Sequence, residues 1–296
     1  MSVKPPRLLP GDTIGVVAPA YVVPSDSLKL GVARLESLGY RVRYRDDLLT
    51  DDSPERFAGS HERRAAEFWQ MLEDPNIRAV FCARGGYGCN YLIDFLGSKP
   101  LPKPKIMMGY SDITTLHSFL WRQAGWVTFH GPMVAVDFSQ ELDALGPALV
   151  STGAWEVENS GLQVLESGSA EGTLLGGCLS ILVTTLGTPR EMDWRGAIVF
   201  LEDLGEAPYR VDRMLFHLRE AGKFNGVRGV IFGEMKDCGQ MELLRDILLR
   251  PFAGLSIPVA AGLASGHTSG RNICLPLGVR ARLENDRLFI LEGAVC

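Results

Sequence analysis

The sequence predicts an α/β protein with a parallel sheet in its first half and a mixed α/β second half. Apolar runs of strand length alternate with stretches of helical period from residue 13 to residue 130. Such alternation places helices on both faces of a parallel sheet. Residues 152–172 then turn to Gly, Ser and Glu with short apolar patches, which marks a boundary between two domains. A chain of 296 residues is long for one compact core, and two domains are the better expectation. The expected division is 1–150, a segment 151–172 of linker and short strands, and 173–296.

The elements follow in order. Residues 13–18 (TIGVVA) read as a strand closed by Pro19. Ser25 can cap a helix in which Leu28, Val32, Leu35 and Leu38 recur at helical spacing, and Gly39 ends it. Residues 41–44 are a second strand, 60–73 a helix, and 79–83 (AVFCA) a third strand that runs into Arg84-Gly85-Gly86-Tyr87-Gly88. A short helix over 90–96 precedes a strand that ends at Gly109-Tyr110-Ser111-Asp112. A helix over 112–123 and a strand over 126–130 complete the set, and a helical stretch spans 140–149. In the second half, 174–187 is Gly-led and then apolar, and reads as a buried helix. Strands are expected over 197–201, 229–232 and 258–263, with helices over 210–221 and 241–249. Residues 279–283 and 288–291 read as a hairpin.

Composition limits the function classes. The chain is 46% hydrophobic and 22% charged with a net charge of −5, as in ordinary soluble globular proteins. No basic stripe points to nucleic acid, and no apolar stretch is long enough to span a membrane. Pro10, Gly11 and Asp12 interrupt the N-terminal apolar run, so it does not read as a signal peptide. The six cysteines are scattered without a C-x-x-C pair, as in a reducing compartment. A cytoplasmic protein is expected. No ligand spacing such as H-x-x-x-H supports a metal, and the glycine loop matches neither the dinucleotide fingerprint nor the P-loop. No cofactor is expected.

In parallel sheets ligands sit off the carboxyl ends of strands. Arg84–Gly88 and Gly109–Asp112 both follow such ends, so two loops can meet at one rim. Ser111 stands where a strand turns at once into a helix, which is how a chain displays a nucleophile. Taken alone, a helix-capping serine is the commoner reading of that corner. The glycine loop can bring backbone N–H groups to a developing oxyanion, or can be only a tight turn. A nucleophilic serine needs a base. His61 lies in a charged helix start, His117 lies along the helix that Ser111 begins, and His217 sits mid-helix. His130 and His267 both end strands and remain rivals. For the acid that orients the base, Glu202, Asp203, Glu206 and Glu234 lie at or just beyond strand ends.

The motifs GDTIGVVAPA (11–20), RFAGS (56–60), ARGGYG (83–88), GYSDITTLH (109–117) and HGPM (130–133) occur in that order. They are followed by GTLLGGCLSILVTTLGTP (172–189), FLEDLGEAPYRVDRML (200–215), GVIFGE (229–234), GLASGH (262–267) and LPLG (275–278). Together they resemble the LD-carboxypeptidase family of serine peptidases, which includes muramoyl-tetrapeptide carboxypeptidases of murein recycling and microcin C immunity peptidases. The resemblance implies a Rossmann-like or flavodoxin-like N-terminal domain, a smaller mixed α/β C-terminal domain, and a site between them, usually in a homodimer. It implies Ser111 as nucleophile, Glu202 as acid and His267 as base, with the oxyanion held by N–H groups of Asp112 and Gly86.

The resemblance also implies the substrate, a murein tetrapeptide that loses its terminal D-alanine. Arg84 is expected near the terminal carboxylate, with Tyr87 beside it on the loop and Arg213 as a weaker candidate. The alternative substrate is an aminoacyl-nucleotide, as in the immunity peptidases. It would need an aromatic ring to stack on the base, and residues 188–197 offer only Trp194. A non-catalytic binding module is the reading from another class, and the complete Ser, Glu and His set argues against it.

Overall fold

The computed structural model describes residues 2–49, 56–137, 145–158 and 160–296. The first part alternates as expected. Strands β1 (Thr13–Val17), β2 (Arg41–Arg43), β3 (Ile77–Cys82), β4 (Ile106–Gly109) and β5 (Thr128–His130) are all parallel. They are connected through helices α1 (Ser25–Ser37), α2 (His61–Glu73), α3 (Ile93–Leu96) and α4 (Thr114–Ala124). Their spatial order, β2-β1-β3-β4-β5, is that of flavodoxin-like doubly wound sheets. The loops after β1, β3 and β4 therefore open on one rim. The short helix α5 (Gly146–Val150) follows; residues 140–144 of the helical stretch expected there lie outside the described residues.

Local chemistry explains these elements. Helix α2 begins at Ser60, whose side chain accepts from Arg63 N–H at 3.2 Å, a cap worth about 1 kcal/mol. It buries Ala65, Phe68, Trp69 and Leu72 against the sheet. Ser25 does not cap α1. The cap position is Pro24, whose ring carries no polar atom to accept a bond, and whose fixed φ suits the extended entry.

The second part carries β6 (Trp155–Glu156), β7 (Gln163–Glu166), β8 (Ser169–Cys178), β9 (Ala197–Glu202), β10 (Gly229–Gly233) and β11 (Val259–Leu263). Three short elements, β12 (Leu275–Leu277), β13 (Arg280–Glu284) and β14 (Arg287–Ile290), close the chain. Helices α6 (Leu179–Val183), α7 (Pro208–Glu220) and α8 (Met241–Leu249) lie between them. The sheet order is β6-β14-β13-β8-β9-β10-β11-β7, with β8 to β11 parallel and the flanks antiparallel. The expected hairpin is β13–β14, turning through Asn285 and Asp286.

One element differs from expectation. Residues 174–178 are not helical but finish the ten-residue strand β8. Gly176 and Gly177 have φ of 139° and 143°, outside any helix. A Cβ on Gly176 would lie 1.8 Å from Phe200 O, so the glycines mark close packing of β8 on β9. A second feature carried no sequence signal. Strand β12 leaves the second sheet and pairs antiparallel with β5 at the edge of the first, with Leu275 opposite His130. One apolar cluster accordingly runs through both sheets, from Ile14, Phe81 and Phe129 to Phe200, Leu275 and Leu283.

Candidate active site

Strand β4 delivers Ser111. Its last residue, Gly109, is packed so tightly that a Cβ there would lie 3.0 Å from Ile113 Cγ1 and 3.1 Å from Cys82 Cβ. Ser111 has φ of 63°, a left-handed conformation that costs a non-glycine residue about 1–2 kcal/mol. A single 3-10 turn, Ser111–Ile113, then feeds α4. Among the described residues no hydrogen bond is recorded for Ser111 Oγ. The capping reading of this corner therefore fails: no side-chain cap bond is made at the start of the 3-10 turn or of α4. The side chain of the next residue is engaged elsewhere, with Asp112 Oδ2 accepting from Cys89 N–H at 2.8 Å.

The glycine loop meets this corner. A Cβ on Gly85 would stand 3.0 Å from Ser111 Cβ and 3.3 Å from its Oγ, so the bare backbone lets the loop lie against the serine. Gly86 has φ of 123° and faces the Tyr21 ring. Buried Arg64 of α2 fixes the loop from beneath. It donates to Gly88 O at 3.1 Å and also to Pro19 O, which joins the loops after β1 and β3. Sequence reading missed Arg64, because a charge inside an amphipathic helix looks like its solvated face.

Glu202 ends β9 and is wholly buried. Its Oε2 accepts two hydrogen bonds from His267, from Nδ1 at 2.8 Å and from the backbone N–H at 3.0 Å. Two glycines make room for the carboxylate. A Cβ on Gly233 would be 2.6 Å from Glu202 Cβ, and one on Gly266 would be 2.6 Å from Glu202 Cδ. Burial disfavours the charged imidazole of His267, but the hydrogen bond and charge of Glu202 outweigh it, aided by Asp203 and Asp137. The His267 pKa therefore lies above the ordinary histidine value. The rest of the His267 loop is pinned as well. Ser269 N–H donates to Glu234 at 2.8 Å and Lys236 Nζ to Thr268 O at 2.9 Å. The Tyr110 ring, next in sequence to Ser111, packs edge-on against the His267 ring with centroids 5.0 Å apart. The Glu202–His267 pair thus packs, through the Tyr110 ring, against the corner that carries Ser111.

The rival residues have other surroundings. His130 is wholly buried, its Nε2 3.7 Å from Glu202 Oε1 and both its nitrogens without hydrogen-bond partners. Burial, with His117 and His267 nearby, lowers its pKa well below the ordinary value, which favours the neutral ring. His117 donates through Nε2 to Gly109 O at 2.8 Å, holding the end of β4. Asp203 accepts from Ser180 N–H at 2.7 Å and Leu204 N–H at 2.9 Å, binding the start of α6. Glu206 pairs with Arg210 at 3.6 Å.

Of the expected substrate contacts, Arg84 stays on the glycine loop, donating to Val22 O at 3.2 Å with its Nε buried and unpartnered. Tyr87 is exposed, its hydroxyl 3.0 Å from that of Tyr91. Arg213 is exposed on α7 over the Tyr209 ring, and none of its recorded contacts involves Ser111, Glu202 or His267. Trp194 is buried and stacked on Phe224, so its ring is not presented to a ligand. Among the described residues no group of His, Cys, Asp and Glu could hold a metal ion, and no helix is long and apolar enough to cross a membrane.

Residues 14–131 match the LD-carboxypeptidase N-terminal domain and residues 171–283 the LD-carboxypeptidase C-terminal domain. A probable murein peptide carboxypeptidase of Bacillus subtilis is 36% identical, the match covering 100% of this chain and 96% of that protein. The crystal structure of a muramoyltetrapeptide carboxypeptidase from Oxalobacter formigenes superposes with a TM-score of 0.79 at 30% identity, covering 95% of this chain and 98% of that one. An MccF-like protein from Bacillus anthracis superposes with a TM-score of 0.88 at 25% identity, covering 97% and 99%. With both domain matches in the expected order and a relative this similar along its whole length, the chain belongs to the LD-carboxypeptidase family of serine peptidases.

Proposed function

We propose that this chain is a murein tetrapeptide carboxypeptidase that releases the terminal D-alanine by acyl transfer to Ser111. The observation that carries this reading is the Glu202–His267 pair, bonded at 2.8 Å, packed through Tyr110 against the strained corner that holds Ser111. With Nδ1–H given to Glu202, His267 keeps Nε2 as acceptor. It takes the hydroxyl proton as Ser111 Oγ attacks the carbonyl carbon of the scissile amide. Glu202 holds that tautomer and stabilises the imidazolium. The N–H groups of Gly86 and Asp112 receive the oxyanion, each donor worth about 3 kcal/mol. His267 then gives its proton to the leaving amine of D-alanine. Water, activated by the same imidazole, releases the shortened peptide and restores Ser111.

Ser111 comes from the N-terminal domain, 1–150, and Glu202 and His267 from the C-terminal domain, 173–296. The site is complete only when the two are docked. Arg84, on the loop beside Ser111, supplies positive charge for the terminal carboxylate, with Tyr87 at the outer edge. The enzyme acts in the cytoplasm as a homodimer, in keeping with its family resemblance and its unpaired cysteines. Trp194, the one aromatic residue of 188–197, is buried and supplies no ring to stack on a nucleobase, which favours the murein peptide.

The test is release of D-alanine from a murein tetrapeptide, run beside an aminoacyl-nucleotide amide. The tetrapeptide is cleaved by the wild type and not by Ser111→Ala. Cleavage of the nucleotide amide alone would replace the substrate assignment, and an active Ser111→Ala would overturn the mechanism.

A further inference from the structure

Asp137 and Asn272 lie 135 positions apart in sequence and meet side chain to side chain, Asn272 Nδ2 donating to Asp137 Oδ1 at 3.1 Å. Neither has a place in the mechanism above. Asp137 follows β5, and its Oδ2 accepts from Met133 N–H at 2.9 Å. Its Oδ1 also accepts from Tyr110 OH at 3.3 Å, a longer and weaker bond. Asn272 is buried, and its Oδ1 accepts from Gly266 N–H at 2.9 Å. The chain of contacts therefore runs from Tyr110, next to Ser111, through Asp137 and Asn272 to Gly266, next to His267.

We infer that Asp137 and Asn272 are positioning residues that set the distance between Ser111 and His267 across the domain junction. The inference rests on the proposed roles of those two residues. A register error of about 1 Å between a nucleophile and its base can cost roughly 100-fold in rate. The Asp137–Asn272 bond is well placed to prevent it. It joins the two loops directly, and the Asn272 amide orientation is fixed at both ends: its oxygen must face Gly266 N–H, and its nitrogen must face a carboxylate.

That fixed polarity makes the link testable by exchange. In Asp137→Asn an amide N–H₂ can face the Asn272 N–H₂, and relief by rotating Asn272 abandons Gly266 N–H. In Asn272→Asp two carboxylates face each other. In the double variant the amide at 137 donates to the carboxylate at 272, which still accepts from Gly266 N–H, while the amide oxygen at 137 still accepts from Met133 N–H. We expect each single variant to lose roughly 10- to 100-fold in kcat with KM changed less than about threefold. The double variant should recover to within about tenfold of wild type, as coupled neighbours do. Wild-type kcat in Asp137→Asn would overturn the inference. So would a double variant that melts like the wild type yet shows the product of the two single losses. Ser111→Ala, assayed alongside, separates the readings: if it stays active, the Ser111 mechanism fails, whereas an inactive Ser111→Ala with an unimpaired Asp137→Asn sinks only this inference.

Discussion

His267 Nδ1 lies 2.8 Å from Glu202 Oε2, and the same oxygen also takes the His267 backbone N–H at 3.0 Å. One carboxylate oxygen thus fixes both the ring and the chain that carries it. Its charge, against the opposing effect of burial, holds the His267 pKa above the ordinary histidine value. In the proposed role of base, His267 must be neutral. The acidic limb of kcat/KM should therefore lie above pH about 6.5, the unperturbed value. Glu202→Gln should move that limb to lower pH and lower kcat by roughly 10²–10⁴-fold, by analogy with loss of the orienting acid in other triads. An unmoved limb in Glu202→Gln would show that the limb reports another group. The linkage to stability has the matching sign. The raised pKa stabilises the fold below the unfolded value, and that contribution is lost as pH rises through the folded one.

The buried histidines act in the opposite direction. Burial pushes the His117 pKa down to about 4 despite its bond to Gly109 O, and His130 is lowered well below its ordinary value. Each binds a proton more readily in the unfolded chain, so stability should fall as pH drops below about 6.5. For His117 the loss approaches about 3 kcal/mol by pH 4. Urea unfolding at pH 7 and pH 5 should show the decline, and His117→Gln should reduce it. An equal decline in that variant would assign the acid sensitivity elsewhere.

Gly85→Ala tests the meeting of the glycine loop with Ser111. The new methyl would stand 3.0 Å from Ser111 Cβ, so the serine or the loop must yield by a few tenths of an ångström. Activity should fall by roughly 10- to 100-fold while stability changes by less than about 1.5 kcal/mol. Full activity would mean that the loop does not set the position of Ser111.

Thr114→Val probes the docking of the two domains. Thr114 Oγ1 accepts from Cys178 N–H at 3.0 Å, and Cys178 is paired with Glu202 across β8 and β9. Losing the acceptor leaves a buried N–H unpaired, at about 1–3 kcal/mol. Thermal unfolding should show that cost, and kcat should drop although none of Ser111, Glu202 or His267 is altered. Unchanged kcat with lowered stability would separate docking from catalysis.

Much of the fold could be read from local pattern. Alternating runs gave β1 to β5, and the placing of Ser111 and the glycine loop at strand ends followed from a parallel sheet. The same reasoning read 174–178 as helix, because apolar residues beside glycines do not reveal that Gly176 must admit Phe200 O. Physics left His130 and His267 as rivals because both end strands. In the structure one Glu202 oxygen bonds His267, while the other stands 3.7 Å from His130, a difference of register that no local signal carries. Arg64, Asp137, Asn272 and β12 were illegible for one reason. The contacts that tie them to the site reach partners far away in sequence, and the residue types are ordinary for a helix face, a loop and a short apolar run.

Ser111 and His267 are proposed to work as one unit, and kcat/KM for tetrapeptide cleavage by Ser111→Ala, His267→Ala and the double variant measures that coupling. Each single change should cost roughly 10⁴- to 10⁶-fold, and adding the second should cost less than about tenfold more. Losses that multiply, or a Ser111→Ala enzyme that keeps more than about a tenth of wild-type activity, would contradict it.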